Sequence, residues 1–103
     1  MKYLVVGFCG SMGRRRVRSL KNLGISEIYG YDISPLAKTV AKENNVNLLE
    51  NVDNFSGNVI ISTPPKHHIS YIKKFISMGC NVFCEASVVP EDRYHYEEIS
   101  YLL

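Results

Sequence analysis

Near the start of the chain, Gly7-Phe8-Cys9-Gly10-Ser11-Met12-Gly13 places three glycines at a spacing of three. Glycines so arranged serve a tight turn, a close approach of backbone to a pyrophosphate, and close packing of a helix on a strand. The order is G-x-x-G-x-x-G, and Phe8 stands where the commoner G-x-G-x-x-G has its first glycine. A helix opening at Ser11 to Gly13 would aim free amides and its positive dipole end at the phosphates. Nineteen positions past Gly13, Asp32 supplies a carboxylate. It is suited to accept hydrogen bonds from both hydroxyls of an adenosine ribose and to repel a 2'-phosphate, which favours NAD over NADP. Taken singly, the glycines are also ordinary turn residues and Asp32 an ordinary solvated acid; their joint spacing favours a dinucleotide site.

Four of the five arginines are Arg14, Arg15, Arg16 and Arg18, just after that loop. Cations in the first turns of a helix oppose its dipole by about 0.3–1 kcal/mol each. Helix propensity therefore does not account for them, whereas a nearby anion would. A solvated basic face is the plainer reading for any one of them, since a helix spreads four such residues around its circumference. They also leave NADP open, because an arginine close to the loop could take a 2'-phosphate.

Thr63-Pro64-Pro65 ends a β-branched run and offers a hydroxyl and two rigid walls at the edge where open α/β sheets bind ligands. Of His67 and His68, one is a candidate to face the site, while surface histidines at a helix start are the plainer reading. Glu85, past a later strand, lies on the same edge, with helix capping as its plainer reading. The candidate cofactor contacts are thus Gly7, Phe8, Gly10, Ser11, Met12, Gly13, Asp32, Ile33, Thr63, Pro64, Pro65, His68 and Glu85. Cys9, Cys80 and Cys84 lack the pairing of a disulfide or zinc framework and read as small thiols in a reducing compartment; no metal site is expected. Cys80 and Cys84 are four apart, which puts them on one face of an extended strand.

Alternating strands and helices must position these residues. Tyr3-Leu4-Val5-Val6 is a strand, and Val17, Leu20 and Leu23 fall at helical spacing with Gly24 where the helix would stop. Ile28 to Tyr31 is a second strand closing on Asp32. Ser34-Pro35 then gives an N-cap with proline at the first helical position, for a helix through Leu36, Val40 and Ala41 to near Asn44-Asn45. Val46 to Leu49 is a short strand candidate and Glu50 to Gly57 an irregular connection. Asn58-Val59-Ile60-Ile61-Ser62 reads as a strand buried on both faces. A third helix carries Ile69, Ile72, Phe75 and Ile76, with Gly79 past its end; Asn81 to Cys84 is a fifth strand and Glu91 to Leu103 a last helix. The expected architecture is α/β: a doubly wound parallel sheet of about five strands in three layers, Rossmann-like, as a single domain over residues 1–103.

Composition bounds the function classes. The 103 residues, 46% hydrophobic and 21% charged, make one globular domain with a modest core. A net charge of +2 conceals an asymmetry: Met1 to Ser26 holds six basic residues and no acidic one, whereas Pro90 to Leu103 holds four acids and Arg93. Because the remainder is not basic, no nucleic-acid partner is expected. No apolar stretch reaches the roughly 18 residues of a membrane span, and the start lacks the layout of a signal peptide, so a cytoplasmic protein is expected.

The whole pattern resembles the N-terminal domain of the Gfo/Idh/MocA oxidoreductases from Lys2 to about Val89. The likeness is carried by Gly10-Ser11-Met12-Gly13-Arg14-Arg15, Asp32, Val59 through His68, and Met78-Gly79-Cys80-Asn81-Val82-Phe83-Cys84-Glu85. It implies NAD or NADP as cofactor and hydride transfer with sugars, cyclitols or related alcohols, in a Rossmann domain followed by an α/β substrate domain. Members usually continue Glu-Lys-Pro after the fifth strand, with the lysine near the substrate hydroxyl. Here the chain reads Glu85-Ala86-Ser87, so Ala86 occupies the lysine position and no catalytic residue is expected in this chain. The substrate domain is absent from it too. The expectation is a cofactor domain that works with a missing C-terminal domain or by self-association. A non-catalytic dinucleotide-binding module and an S-adenosylmethionine-binding domain are the alternatives.

Overall fold

The computed structural model describes residues 1–84. Five strands and three helices alternate: β1 (Lys2–Val6), α1 (Ser11–Asn22), β2 (Glu27–Tyr31), α2 (Ala37–Asn44), β3 (Asn47–Leu48), β4 (Asn58–Ile61), a 3-10 turn (Pro65–His67), α3 (His68–Ser77) and β5 (Asn81–Cys84). All pairings are parallel, in the order β3-β2-β1-β4-β5. Parallel neighbours require crossovers, and right-handed crossovers that run outward in two directions from β1 put helices on both faces. The expected three-layer arrangement is therefore present, and the expected last helix from Glu91 lies outside the described residues.

Alternation along the strands divides the core in two. Leu4, Val6, Val59 and Ile61 join Ile72 and Phe75 of α3 on one face. Val5 and Ile28 join Val17 and Leu20 of α1 and Val40 and Ala41 of α2 on the other. Cys80 and Cys84 both belong to the α3 side, as their even spacing required. Central strand β1 is the best protected, with Leu4, Val5 and Val6 fully buried. Ile60 is half-buried, so β4 is covered less completely on the α1 face than its β-branched run suggests.

The second helix starts later than expected, at Ala37 with Leu36 as N-cap. Ser34 still does what an N-cap hydroxyl does, accepting from Leu36 N–H at 3.1 Å, but the backbone first closes a tighter turn from Ala37 N–H to Ser34 O. Asn45, in the left-handed region at φ 53°, ends α2 close to the expected position. Among the described residues, no helix is long and apolar enough to cross a membrane, and no group of His, Cys, Asp or Glu is arranged to hold a metal ion.

Candidate functional site

At the carboxyl end of the sheet the chain leaves β1 toward one side and β4 toward the other, which opens a crevice between them. A cleft of about 520 Å³ lies there, within the range of ligand sites. Gly7, Cys9 and Gly10 form its floor, Tyr31 to Ser34 one wall, and Ser62 to Pro64 with Lys66, His67 and Tyr71 the other.

Backbone proximity makes this floor. Gly7 sits at φ 85°, and a Cβ there would meet Ser62 C and O at 2.9 Å, so a side chain would be excluded twice over. Gly7 N–H donates to Tyr31 O at 2.8 Å and Ser62 N–H to Val6 O at 2.8 Å, closing the sheet directly beneath the cleft. At Gly13 a Cβ would lie 2.1 Å from Gly7 O and 2.5 Å from Phe8 Cα. The missing side chain lets α1 press onto the loop and point its first turn at the cleft. Among the described residues no side chain caps α1, whose N-cap is Gly10, so first-turn amides stay available to an anion.

Asp32 is half-buried and accepts two backbone hydrogen bonds: from Cys9 N–H on Oδ2 at 3.0 Å and from Ser34 N–H on Oδ1 at 2.9 Å. Each carboxylate oxygen keeps acceptor capacity toward the cleft. Burial pushes the Cys9 thiol up to about 11; the Asp32 carboxylate adds to the shift and Arg14 opposes it. Cys9 is accordingly a protonated thiol at neutral pH rather than a nucleophile. Burial also raises the Tyr71 hydroxyl, with Tyr31 and Asp32 contributing. On the opposite wall the hydroxyls of Ser62 and Thr63 are buried and have no hydrogen-bond partner among the described residues. Two orphaned donors in the wall of a largely apolar cleft fit a ligand that brings its own acceptors.

Gly7, Gly10, Asp32, Ile33, Thr63 and Pro64 line the cleft as the sequence suggested. Ser11, Met12 and Gly13 form the first turn of α1 beside it, Pro65 opens the 3-10 turn, and Glu85 lies outside the described residues. Two expectations need correction. The Phe8 side chain points away from the cleft and is fully buried against Gly30 in the α1/α2 core. Burying such a ring stabilises by about 1.5–3 kcal/mol, which sets its direction. His68 is neither a surface residue nor a cleft residue: it is 2% exposed, and the histidine lining the cleft is His67.

None of the four clustered arginines lines the cleft, although Arg14 Nε–H donates to Cys9 O at 2.9 Å and so folds back onto the loop. Cys9, Tyr31, Ser34, Ser62, Lys66 and Tyr71 are cleft residues that sequence reasoning missed. Tyr31 and Ser62 were accessible to it as neighbours of Asp32 and Thr63 at strand ends. Tyr71 follows His67 by four, one helical turn along the same face.

A family model described as an oxidoreductase family with an NAD-binding Rossmann fold, Gfo/Idh/MocA, matches residues 1–100. Among curated proteins nothing matches the chain. An NAD-binding protein from Listeria innocua superposes with a TM-score of 0.77 at 22% identity, over 98% of this chain and 32% of its own. UDP-N-acetylglucosamine 3-dehydrogenase GnnA from Acidithiobacillus ferrooxidans gives 0.76 at 21%, over 99% of this chain and 35% of its own. The WlbA dehydrogenase from Thermus thermophilus, in complex with NAD and alpha-ketoglutarate, gives 0.71 at 16%, over 98% and 38%. At these identities the likenesses establish the fold. The chain spans about a third of the length of each.

Proposed function

Because the chain belongs to the Gfo/Idh/MocA oxidoreductase family, as its NAD-binding Rossmann domain, we propose that the cleft at the carboxyl edge of the sheet is where the dinucleotide is held. One observation carries this: the uncapped start of α1 at Gly10 and the fixed carboxylate of Asp32 line the same cleft. In this reading Gly7, Gly10, Ser11, Met12 and Gly13 present backbone to the pyrophosphate, and Asp32 accepts from the adenosine ribose. Ile33, exposed beside Asp32, covers the adenine side. Ser62, Thr63, Pro64 and Pro65 wall the nicotinamide half, where the two orphaned hydroxyls find acceptors. Glu85, the next residue in sequence after β5, is proposed as a further cofactor contact and lies outside the described residues.

Hydride transfer is the chemistry a bound nicotinamide supplies. The residues of this chain bind and orient it, and no titratable group of the cleft is assigned a proton-transfer role. Sugars, cyclitols or related alcohols are the proposed substrate class, acted on together with a further domain of the same or another polypeptide. The exposed Phe83 on β5, beside half-buried Ile60 in register, supports an additional contact on that face. Cys9, Cys80 and Cys84, present as thiols, support a reducing, cytoplasmic setting.

A purely binding role is the second reading, favoured by Ala86 at the family's lysine position. Family membership takes the place of the S-adenosylmethionine reading. Calorimetric titration with NADH and NADPH in parallel tests the proposal, with tighter binding of NADH expected. A folded protein that binds neither at millimolar concentration overturns it.

A further inference from the structure

We propose that His68 is a positioning residue: through a fixed tautomer it holds the Thr63 carbonyl, and so sets the nicotinamide-side wall of the cleft. This rests on the cofactor reading above.

Among the described residues, His68 is the one polar or charged side chain in the buried core. A buried imidazole needs partners for both nitrogens. Nε2 lies 2.6 Å from Thr63 O, and a carbonyl can only accept, so Nε2 carries the proton and donates. In the neutral ring Nδ1 is then the acceptor, and the Cys84 thiol, with Sγ at 3.3 Å, donates to it. One side chain at the start of α3 thereby joins the ends of β4 and β5.

Thr63 needs such a hold. The ladder bond from Ser62 N–H to Val6 O is made one residue earlier, and Thr63 continues past the end of β4 toward the prolines. Its neighbour on the other side is Gly7, where an added Cβ would lie 3.0 Å from Thr63 N. Held between the Gly7 backbone and the His68 ring, Thr63 keeps its buried hydroxyl at the cleft wall without a partner among the described residues. The carbonyl bond thus fixes the backbone from which that hydroxyl projects, and His68 acts on the ligand only through Thr63.

Two side chains separate this role from general stabilisation. His68→Gln can place an amide N–H where Nε2–H stood, whereas the shorter His68→Asn reaches only the Nδ1 position. Binding of NADH and of ADP-ribose, which lacks the nicotinamide, would be measured by calorimetry on the full chain and both variants. Long-range 1H–15N correlation would read the ring tautomer in the unmodified protein. The expected results are a proton on Nε2, an NADH affinity lowered about tenfold in His68→Asn, ADP-ribose affinity unchanged, and NADH binding restored by His68→Gln. A proton on Nδ1, equal loss of both ligands in His68→Asn, or no restoration by His68→Gln would overturn the positioning role. If His68→Asn does not fold, the ring tautomer and the behaviour of His68→Gln decide alone. Failure of the unmodified chain to bind either ligand would overturn the cofactor reading, and the positioning role with it.

Discussion

The Cys9 amide donates to Asp32 Oδ2 at 3.0 Å, so the glycine loop and the acid at the end of β2 are one hydrogen-bonded unit before any ligand arrives. Ser34 N–H holds the other oxygen at 2.9 Å. A carboxylate fixed from both sides loses little freedom on accepting further hydrogen bonds from a ribose. Asp32→Ala is therefore expected to act twice. It should weaken NADH binding by about 10-fold or more, since hydrogen bonds to a charged group contribute about 1.5–3 kcal/mol. It should also lower the stability of the ligand-free chain by about 1–2 kcal/mol, because two backbone amides lose their acceptor. Calorimetry and urea unfolding measure the two separately.

Gly13→Ala should be damaging out of proportion to one methyl group. The new Cβ would meet backbone of Gly7 and Phe8 at 2.1–2.5 Å, which no rotamer change relieves. Since α1 must lift from the loop, the cost should reach or exceed the ~1–3 kcal/mol typical of overpacking. Thermal unfolding would show it as a fall in Tm of about 10 °C or more.

Thr63→Val should separate stability from binding. The hydroxyl it removes is buried without a partner among the described residues, so the ligand-free chain should be as stable as before or more so. NADH affinity should fall about 5- to 10-fold, the equivalent of one lost hydrogen bond of ~1 kcal/mol. Parallel Tm and Kd measurements would check that the two move independently.

Cys9 predicts an alkaline dependence. Its thiol is raised from the ordinary 9.0 to about 11 in the folded chain, chiefly by burial and then by Asp32. The folded state thus holds the proton more tightly than the unfolded state, and stability falls as pH rises. This contribution is fully present below about pH 9 and lost as pH rises through about 11. Comparison with Cys9→Ala by urea unfolding at several pH values isolates it from the tyrosines and lysines, which both proteins share. The unmodified chain should lose more stability over that interval than the variant.

Much of this was legible because the relevant constraints are local. Glycine spacing, the run Val59-Ile60-Ile61, and Asp32 at a strand end each report a backbone requirement that a single stretch of sequence must meet. The strand order then follows from the rules that govern parallel crossovers. Phe8 and His68 were misread because their directions depend on distant partners. Phe8 fills the space left by Gly30 on β2, and His68 reaches Thr63 and, sixteen residues away, Cys84. Ser34 shows a smaller version of the same limit: its capping hydroxyl was recognisable, but the tighter turn through Ala37 that delays α2 was not. Tyr71 was missed because only the folded α3 brings it across from Asp32.

Amide chemical-shift mapping with NADH tests the central claim most directly, since it reports location as well as binding. On addition of NADH, the amides of Gly10, Ser11, Gly13, Ser34 and Thr63 should shift together and saturably, while Tyr29 and Phe55, which pack on each other and do not line the cleft, stay in place. Shifts confined to residues outside the cleft, or none at millimolar NADH in a folded protein, would contradict it.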